Sequence, residues 1–227
     1  SRTLLLLLIA IADCYLLLQV MRSSKNFFED EDQDELHARP LAFTKFAKWS
    51  PGMDADEELP YYQISDGKKL SNTLTKKLEE YNESNARMDL VLFEQAMQHV
   101  CRISRIIDTP RGNALLVGVG GSGKQSLTRL AAFISGMSVF QLKLTASYGM
   151  SDFKLDMISL YQGSGVKGQS IVFLFTDQQI VDERMLVYFN DLLSSGYIPD
   201  LYTPDDKDNI INAIRPEVKA AGLMDSR

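Results

Sequence analysis

Seven consecutive residues, Gly118-Val119-Gly120-Gly121-Ser122-Gly123-Lys124, carry the most specific chemistry in the chain. Glycines at this density let the backbone curl until successive N–H groups converge on one point, where an anion is held. The lysine that closes the run brings a positive charge within reach of the outer phosphates of a nucleotide. Upstream, Ala114-Leu115-Leu116-Val117-Gly118 is apolar and too short for a helix, while a helical pattern opens at Lys124. The loop is therefore expected between a buried strand and a helix N-terminus, whose partial positive charge adds to the grip on phosphate. That setting separates a P-loop from a chance glycine-rich turn. The phosphate-binding residues expected are Gly118, Val119, Gly120, Gly121, Ser122, Gly123, Lys124, Gln125 and Ser126, and the ligand is ATP or ADP.

One position departs from the usual pattern. The residue after the lysine is normally Ser or Thr, which holds Mg²⁺, and here it is Gln125. Ser126 is one step later, a rotation of about 100° around a helix, so it does not simply replace the missing hydroxyl. Gln125 or a water is expected at the metal, with Mg²⁺ weakly held. The second metal residue expected is Asp177, at the end of the apolar run Ile171-Val172-Phe173-Leu174-Phe175-Thr176. A carboxylate there orients metal-bound water in P-loop ATPases; an Asp capping the next helix is the alternative. Gln178 follows, where hydrolysing members of the AAA+ class carry a glutamate base. An amide cannot accept that proton, so no catalytic residue is assigned with Gln178 in this place.

Other reactive side chains are less informative. His99 and Cys101 have no partner at metal-ligand spacing and suit packing or surface positions. Arg102, Arg105 and Arg111 precede the glycine loop and are expected on a solvated face, with a nucleotide contact as the alternative. Residues 88–92 enter a helix just upstream and suit either core packing or the wall of an adenine pocket.

The elements that must position these groups alternate. Amphipathic helices are expected over 70–82 and 89–107, with Leu92, Ala96, Val100, Ile103 and Ile107 on one stripe. After the 114–118 strand come a helix from Lys124 to about Ser135, a strand from Val139 to Leu144, and a helix from Ser151 to Tyr161. The apolar strand 171–176, buried on both faces, a helix from Asp182 to Ser195, and a last helix from Asp208 to Ala221 complete the order. The fold class expected is α/β, a P-loop NTPase with a parallel sheet and flanking helices; its resemblance to AAA+ modules implies a large subdomain, incomplete at its C-terminal end. It is preceded by a helical and irregular extension. Residues 70–227 form this domain, 29–69 an acidic linker and irregular connection, and 1–28 an atypical apolar helix.

At 227 residues the chain can bury a full core, and a net charge of -6 excludes a general nucleic-acid binder, which needs a basic surface. Two cysteines without paired spacing exclude a disulfide framework. The stretch Leu4 to Met21 has the apolarity of a membrane segment, but Asp13 at its middle makes insertion costly. A buried or partner-docked helix is expected instead. The acidic block 29–35 repels itself and suits a solvated linker.

Four stretches together resemble the fourth AAA+ module of axonemal dynein heavy chains: residues 81–94, the glycine loop continued as Gln125-Ser126-Leu127-Thr128-Arg129-Leu130, Val172 to Asp177, and Leu192 to Leu201. The resemblance covers residues 70–227 and makes Gln125 a family trait. It implies a ring of six ATPase modules that moves along microtubules in the axoneme of cilia and flagella, with this module a regulatory nucleotide site. Partners implied are neighbouring AAA+ modules and other dynein chains, with microtubules reached only through a stalk. Two departures accompany it. Residues 1–28 match only vaguely, and the chain stops before the strand that bears the sensor asparagine.

Overall fold

The computed structural model of the chain describes residues 18–30, 32–33, 43–48, 60–64 and 66–222. Most of the apolar N-terminal run, and Trp49, lie outside them. The described end of that run, residues 18–21, is helical and continues as a helix to residue 27, with Leu18, Val20 and Phe27 exposed instead of buried against the chain.

Two cores organise the rest. The first gathers a short antiparallel pair, β1 (Phe43–Thr44) with β2 (Tyr62–Gln63), and three helices: α1 (Gly67–Ser84), α2 (Glu94–Asp108) and α3 (Lys124–Ile134). Phe46 and Ile64 drive the hairpin into this core, so the connection expected to lie against the main domain does so. On α2 the buried positions Ala96, Met97, Val100, Cys101, Ile103 and Ser104 repeat at three and four, giving one stripe that packs on α3. Small side chains at Ala131 and Ala132 of α3 are fully buried and leave room for that close approach.

The start of α2 falls later than the hydrophobic period alone suggests. Asn82 takes the Met88 amide at 2.8 Å and donates to its carbonyl at 3.2 Å, which pins the chain in an extended conformation. Residues 88–93 then alternate, with Leu90 and Leu92 packed on the core and Val91 and Phe93 exposed.

The second core forms around a parallel β–α–β unit. β3 (Ser138–Phe140) crosses through α4 (Met150–Tyr161) to β4 (Ile171–Phe173), with Ser138 opposite Ile171, Val139 opposite Val172 and Phe140 opposite Phe173. The loop expected at 163–168 is instead mostly a π-helical turn, Gln162–Val166, that extends α4. After β4 come α5 (Met185–Ser195), ended by Gly196 at φ 72°, and α6 (Pro204–Ala220). Thr203 and Asp206 cap α6 reciprocally, and this moves its start ahead of the expected Asp208.

Phe153 on α4 anchors this core. It is fully buried, edge-on to Tyr188 at 5.6 Å and close to Phe189 at 5.9 Å. Phe189 also stacks on Phe173, which ties α5 to the sheet. Phe153→Ala is expected to cost about 3–5 kcal/mol, measured as a lower urea midpoint at unchanged slope.

The apolar run 114–118 differs from expectation. It is extended but pairs with no strand among the described residues, and Leu115 and Val117 are 90% and 87% exposed. Leu116 alone packs on the first core. Apolarity reports what a strand would bury, and burial also needs neighbours on both edges. For the same reason β4 is only half-buried, against the expectation of burial on both faces: α5 covers one side of it.

Candidate nucleotide-binding site

The glycine loop sits where the sequence puts it, at the N-terminus of α3. Gly121 and Gly123 both have φ 76°, a left-handed conformation that a side chain disfavours. Gly123 is the N-cap of α3, and no side chain caps the helix, so its first-turn N–H groups are open to an anion. At Gly118 a Cβ would stand 3.3 Å from the Ser122 hydroxyl and 3.7 Å from Lys124 Nζ. The missing side chain keeps the space above the lysine clear.

Lys124 folds back over this loop. Its Nζ donates to the Gly118 carbonyl at 2.7 Å, the Val119 carbonyl at 2.8 Å and Ser122 Oγ at 3.2 Å. The ammonium is therefore positioned by three loop oxygens that a phosphate oxygen can replace, since a charged partner makes the stronger hydrogen bond. The arrangement fits a nucleotide phosphate. Leu90 approaches the loop from the extended segment before α2, its Cδ1 3.6 Å from where a Gly123 Cβ would be. Among residues 88–92 it therefore touches the loop as well as the core.

Gln125 is exposed on the first turn of α3 and Ser126 is half-buried. Asp177 opens a single 3-10 turn, Asp177–Gln179, directly after the β4 strand line. Its carboxylate is exposed and makes no hydrogen bond among the described residues. Capping of α5 is not its role: α5 has no side-chain cap, and in the turn before it Asp182 accepts from the Arg184 amide at 2.9 Å. The Arg184 guanidinium beside Asp182 holds that carboxyl well down, at about 2. Gln178 is exposed next to Asp177. Among the described residues no group of three or more His, Cys, Asp or Glu can hold a metal. Mg²⁺ does not require one, because it keeps several waters and takes one or two carboxylates plus phosphate oxygens.

The remaining candidates fall on the ordinary side. His99, Arg102, Arg105 and Arg111 are exposed, and Arg111 adopts φ 58° in the turn after α2. Cys101 is buried, and burial pushes its thiol up to about 11, which leaves it neutral and unreactive near pH 7.

One residue is only partly legible in the sequence. Gln179 is 6% exposed, and both the oxygen and the nitrogen of its side-chain amide are hydrogen-bonded. Its Oε1 accepts from the Thr176 amide at 3.0 Å and from Thr176 Oγ1 at 3.3 Å, while its Nε2 donates to the Leu142 carbonyl at 2.8 Å. The spacing Thr176-x-x-Gln179 is that of a capping box and accounts for its contact with Thr176, whereas nothing local marks its bond to Leu142; Gln178 beside it has the same side chain and points to solvent.

A glycine loop folded around its own lysine at a helix N-terminus, followed by a parallel β–α–β unit whose second strand leads to a carboxylate turn, defines a P-loop nucleotide-binding domain of α/β class. Residues 88–227 match the family model of the P-loop containing dynein motor region D4, and the chain belongs to that family. It is 55% identical over 205 residues to the dynein beta chain of the flagellar outer arm of Chlamydomonas reinhardtii, covering 89% of this chain and 4% of that one. Against human dynein axonemal heavy chain 9 the identity is 53% over 203 residues, again 89% and 4%. Dynein axonemal heavy chain 11 of Sus scrofa is 48% identical over 221 residues, which is 97% of this chain and 5% of that one. The chain thus spans about one twentieth of the length of these relatives.

Proposed function

We propose that the chain is a regulatory nucleotide-binding module of an axonemal dynein heavy chain. It binds ATP or ADP at residues 118–126 and passes its state to neighbouring AAA+ modules of the same heavy chain. The observation that carries this is the glycine loop: Lys124 is already presented at an uncapped helix end, with Gly118 leaving the phosphate space clear. The regulatory part of the reading rests on Gln178, whose amide cannot take a proton from water. Within a whole heavy chain the module would serve an ATP-driven motor of the ciliary or flagellar axoneme, reaching microtubules through a stalk elsewhere and joining other dynein chains there. The domain division at residues 28 and 69 belongs to the same reading.

When bound, Mg²⁺ would neutralise phosphate charge and orient water. Asp177 would hold it, together with Gln125 or a water. A second reading, slow hydrolysis with Asp177 itself as the base, has one observation in its favour: this exposed carboxylate has no hydrogen-bond partner among the described residues.

Calorimetric titration with ATP and with ADP tests the binding. Removing Mg²⁺ with EDTA is expected to weaken ATP about tenfold, because Gln125 is a poor metal ligand and backbone N–H groups supply much of the grip. A hundredfold or greater loss, about 2.7 kcal/mol, means the metal is held as firmly as in a P-loop with Ser or Thr. Absence of binding in any condition sinks the reading of the site.

A further inference from the structure

The parallel ladder between β3 and β4 does not simply fray at its C-terminal end. Its last backbone rung is the Leu174 amide donating to the Phe140 carbonyl at 2.9 Å. In this register the next rung, the Leu142 amide to the Leu174 carbonyl, is not made among the described residues, and beyond it come the Thr176 amide and the Leu142 carbonyl. Both groups are present, and neither uses the other. The side-chain amide of Gln179 stands between them: the Thr176 amide donates to its Oε1, and its Nε2 donates to the Leu142 carbonyl. A side chain thus supplies the peptide group that continues the ladder. Directly bonded strands lie about 4.8 Å apart, and an interposed amide holds their ends wider.

The place where this happens matters. In open α/β sheets ligands bind in the crevice outside the carboxyl ends of the strands. Thr176 is the last residue before Asp177, so the wedge sets where the strand stops and where the Asp177 turn begins. The turn is closed by the same residue, whose own amide donates to the Thr176 carbonyl at 2.9 Å. Gln179 is therefore bound at three points to the two strand ends, and the exposed Asp177 and Gln178 lie between its anchors.

We propose that Gln179 is a positioning residue of the nucleotide site, an amide wedge between the ends of β3 and β4 that fixes where the Asp177 carboxylate meets metal and water. This deepens the nucleotide reading above and rests on it. Without the wedge, the Thr176 amide and the Leu142 carbonyl can close on each other. The Asp177 turn is then drawn back towards the sheet, and the glycine loop on α3 is untouched.

Two substitutions in the 227-residue chain test this. Gln179→Met keeps length and volume and removes the amide; Gln179→Asn keeps the amide and removes the reach. ATP affinity is measured by calorimetry in Mg²⁺ and in EDTA, for both variants and for wild type, with circular dichroism to establish folding. Both variants are expected to lose most of the roughly tenfold gain that Mg²⁺ gives wild type, retaining about twofold or less, while affinity in EDTA stays within about twofold. A variant that keeps the wild-type gain overturns the proposal, as does one whose affinity falls equally with and without metal, since that is general damage and not positioning. If Gln179→Met does not fold, Gln179→Asn decides. Wild type that binds no nucleotide in either condition defeats the reading of the site itself; wild type that binds, with variants that gain equally from Mg²⁺, defeats the wedge alone.

Discussion

Lys124→Ala is expected to weaken ATP binding by at least about a hundredfold, about 2.7 kcal/mol, with almost no change in thermal stability. The two halves of this expectation have separate causes. Among the described residues Lys124 Nζ bonds only to the Gly118 and Val119 carbonyls and Ser122 Oγ, on an exposed loop. Water can satisfy all three when the ammonium is gone, so the fold loses little. A phosphate in the loop has no such substitute, because backbone N–H groups supply dipoles while the lysine supplies the full charge. Lys124→Arg should recover only part of the loss, since a planar guanidinium does not occupy the space of a compact ammonium. Calorimetry and a melting curve on the same sample decide it. Unchanged ATP affinity in the alanine variant removes the glycine loop from the binding site.

Hydrolysis is expected to be negligible in the wild-type chain, for two independent reasons. Gln178 stands exposed beside Asp177 where a base would act, and losing a positioned base typically removes about 10² to 10⁴ in rate. An arginine contributed by another module, which stabilises the transferring phosphoryl group, is worth about 10³ to 10⁵ in rate. Arg102, Arg105 and Arg111 of this chain face solvent on or just after α2, and none of them hydrogen-bonds to the glycine loop among the described residues. The informative variant is Gln178→Glu in a whole motor chain, assayed by phosphate release with the other sites silenced. It should raise turnover at this site by up to about 10⁴. Wild-type turnover there of about 1 per second, as in working ATPases, makes the regulatory assignment wrong and leaves Asp177 as the base.

Much of this was legible in the residues because it is local. A glycine loop between an apolar run and a helical pattern announces its own geometry, and Gly121 and Gly123 take the positive φ values that the spacing requires. The boundaries of α3 and α4 follow from periodicity within a residue or so. What stayed hidden depends on contacts remote in sequence. Asn82 delays α2 by holding Met88 from six residues away. The strand character of 114–118 is visible in its side chains, but its pairing is a property of other segments. Gln179 is the clearest case. Its cap on Thr176 follows from the local Thr-x-x-Gln spacing, but its bond to Leu142, 37 residues earlier, is what gives it and not Gln178 a buried task.

The unpaired run at 114–118 has a consequence for how the chain comes into being. It leaves the ribosome ahead of both strands of the β3–β4 pair, at about 5–20 residues per second, so Leu115 and Val117 are synthesised seconds before that pair can form. An extended apolar segment with free N–H and C=O groups on both edges is a template for any other nascent strand nearby. In a polysome many copies carry that same segment side by side. Keeping it from such pairing is work for a chaperone, and the steady yield of the protein in a cell should depend on that escort more than on its equilibrium stability.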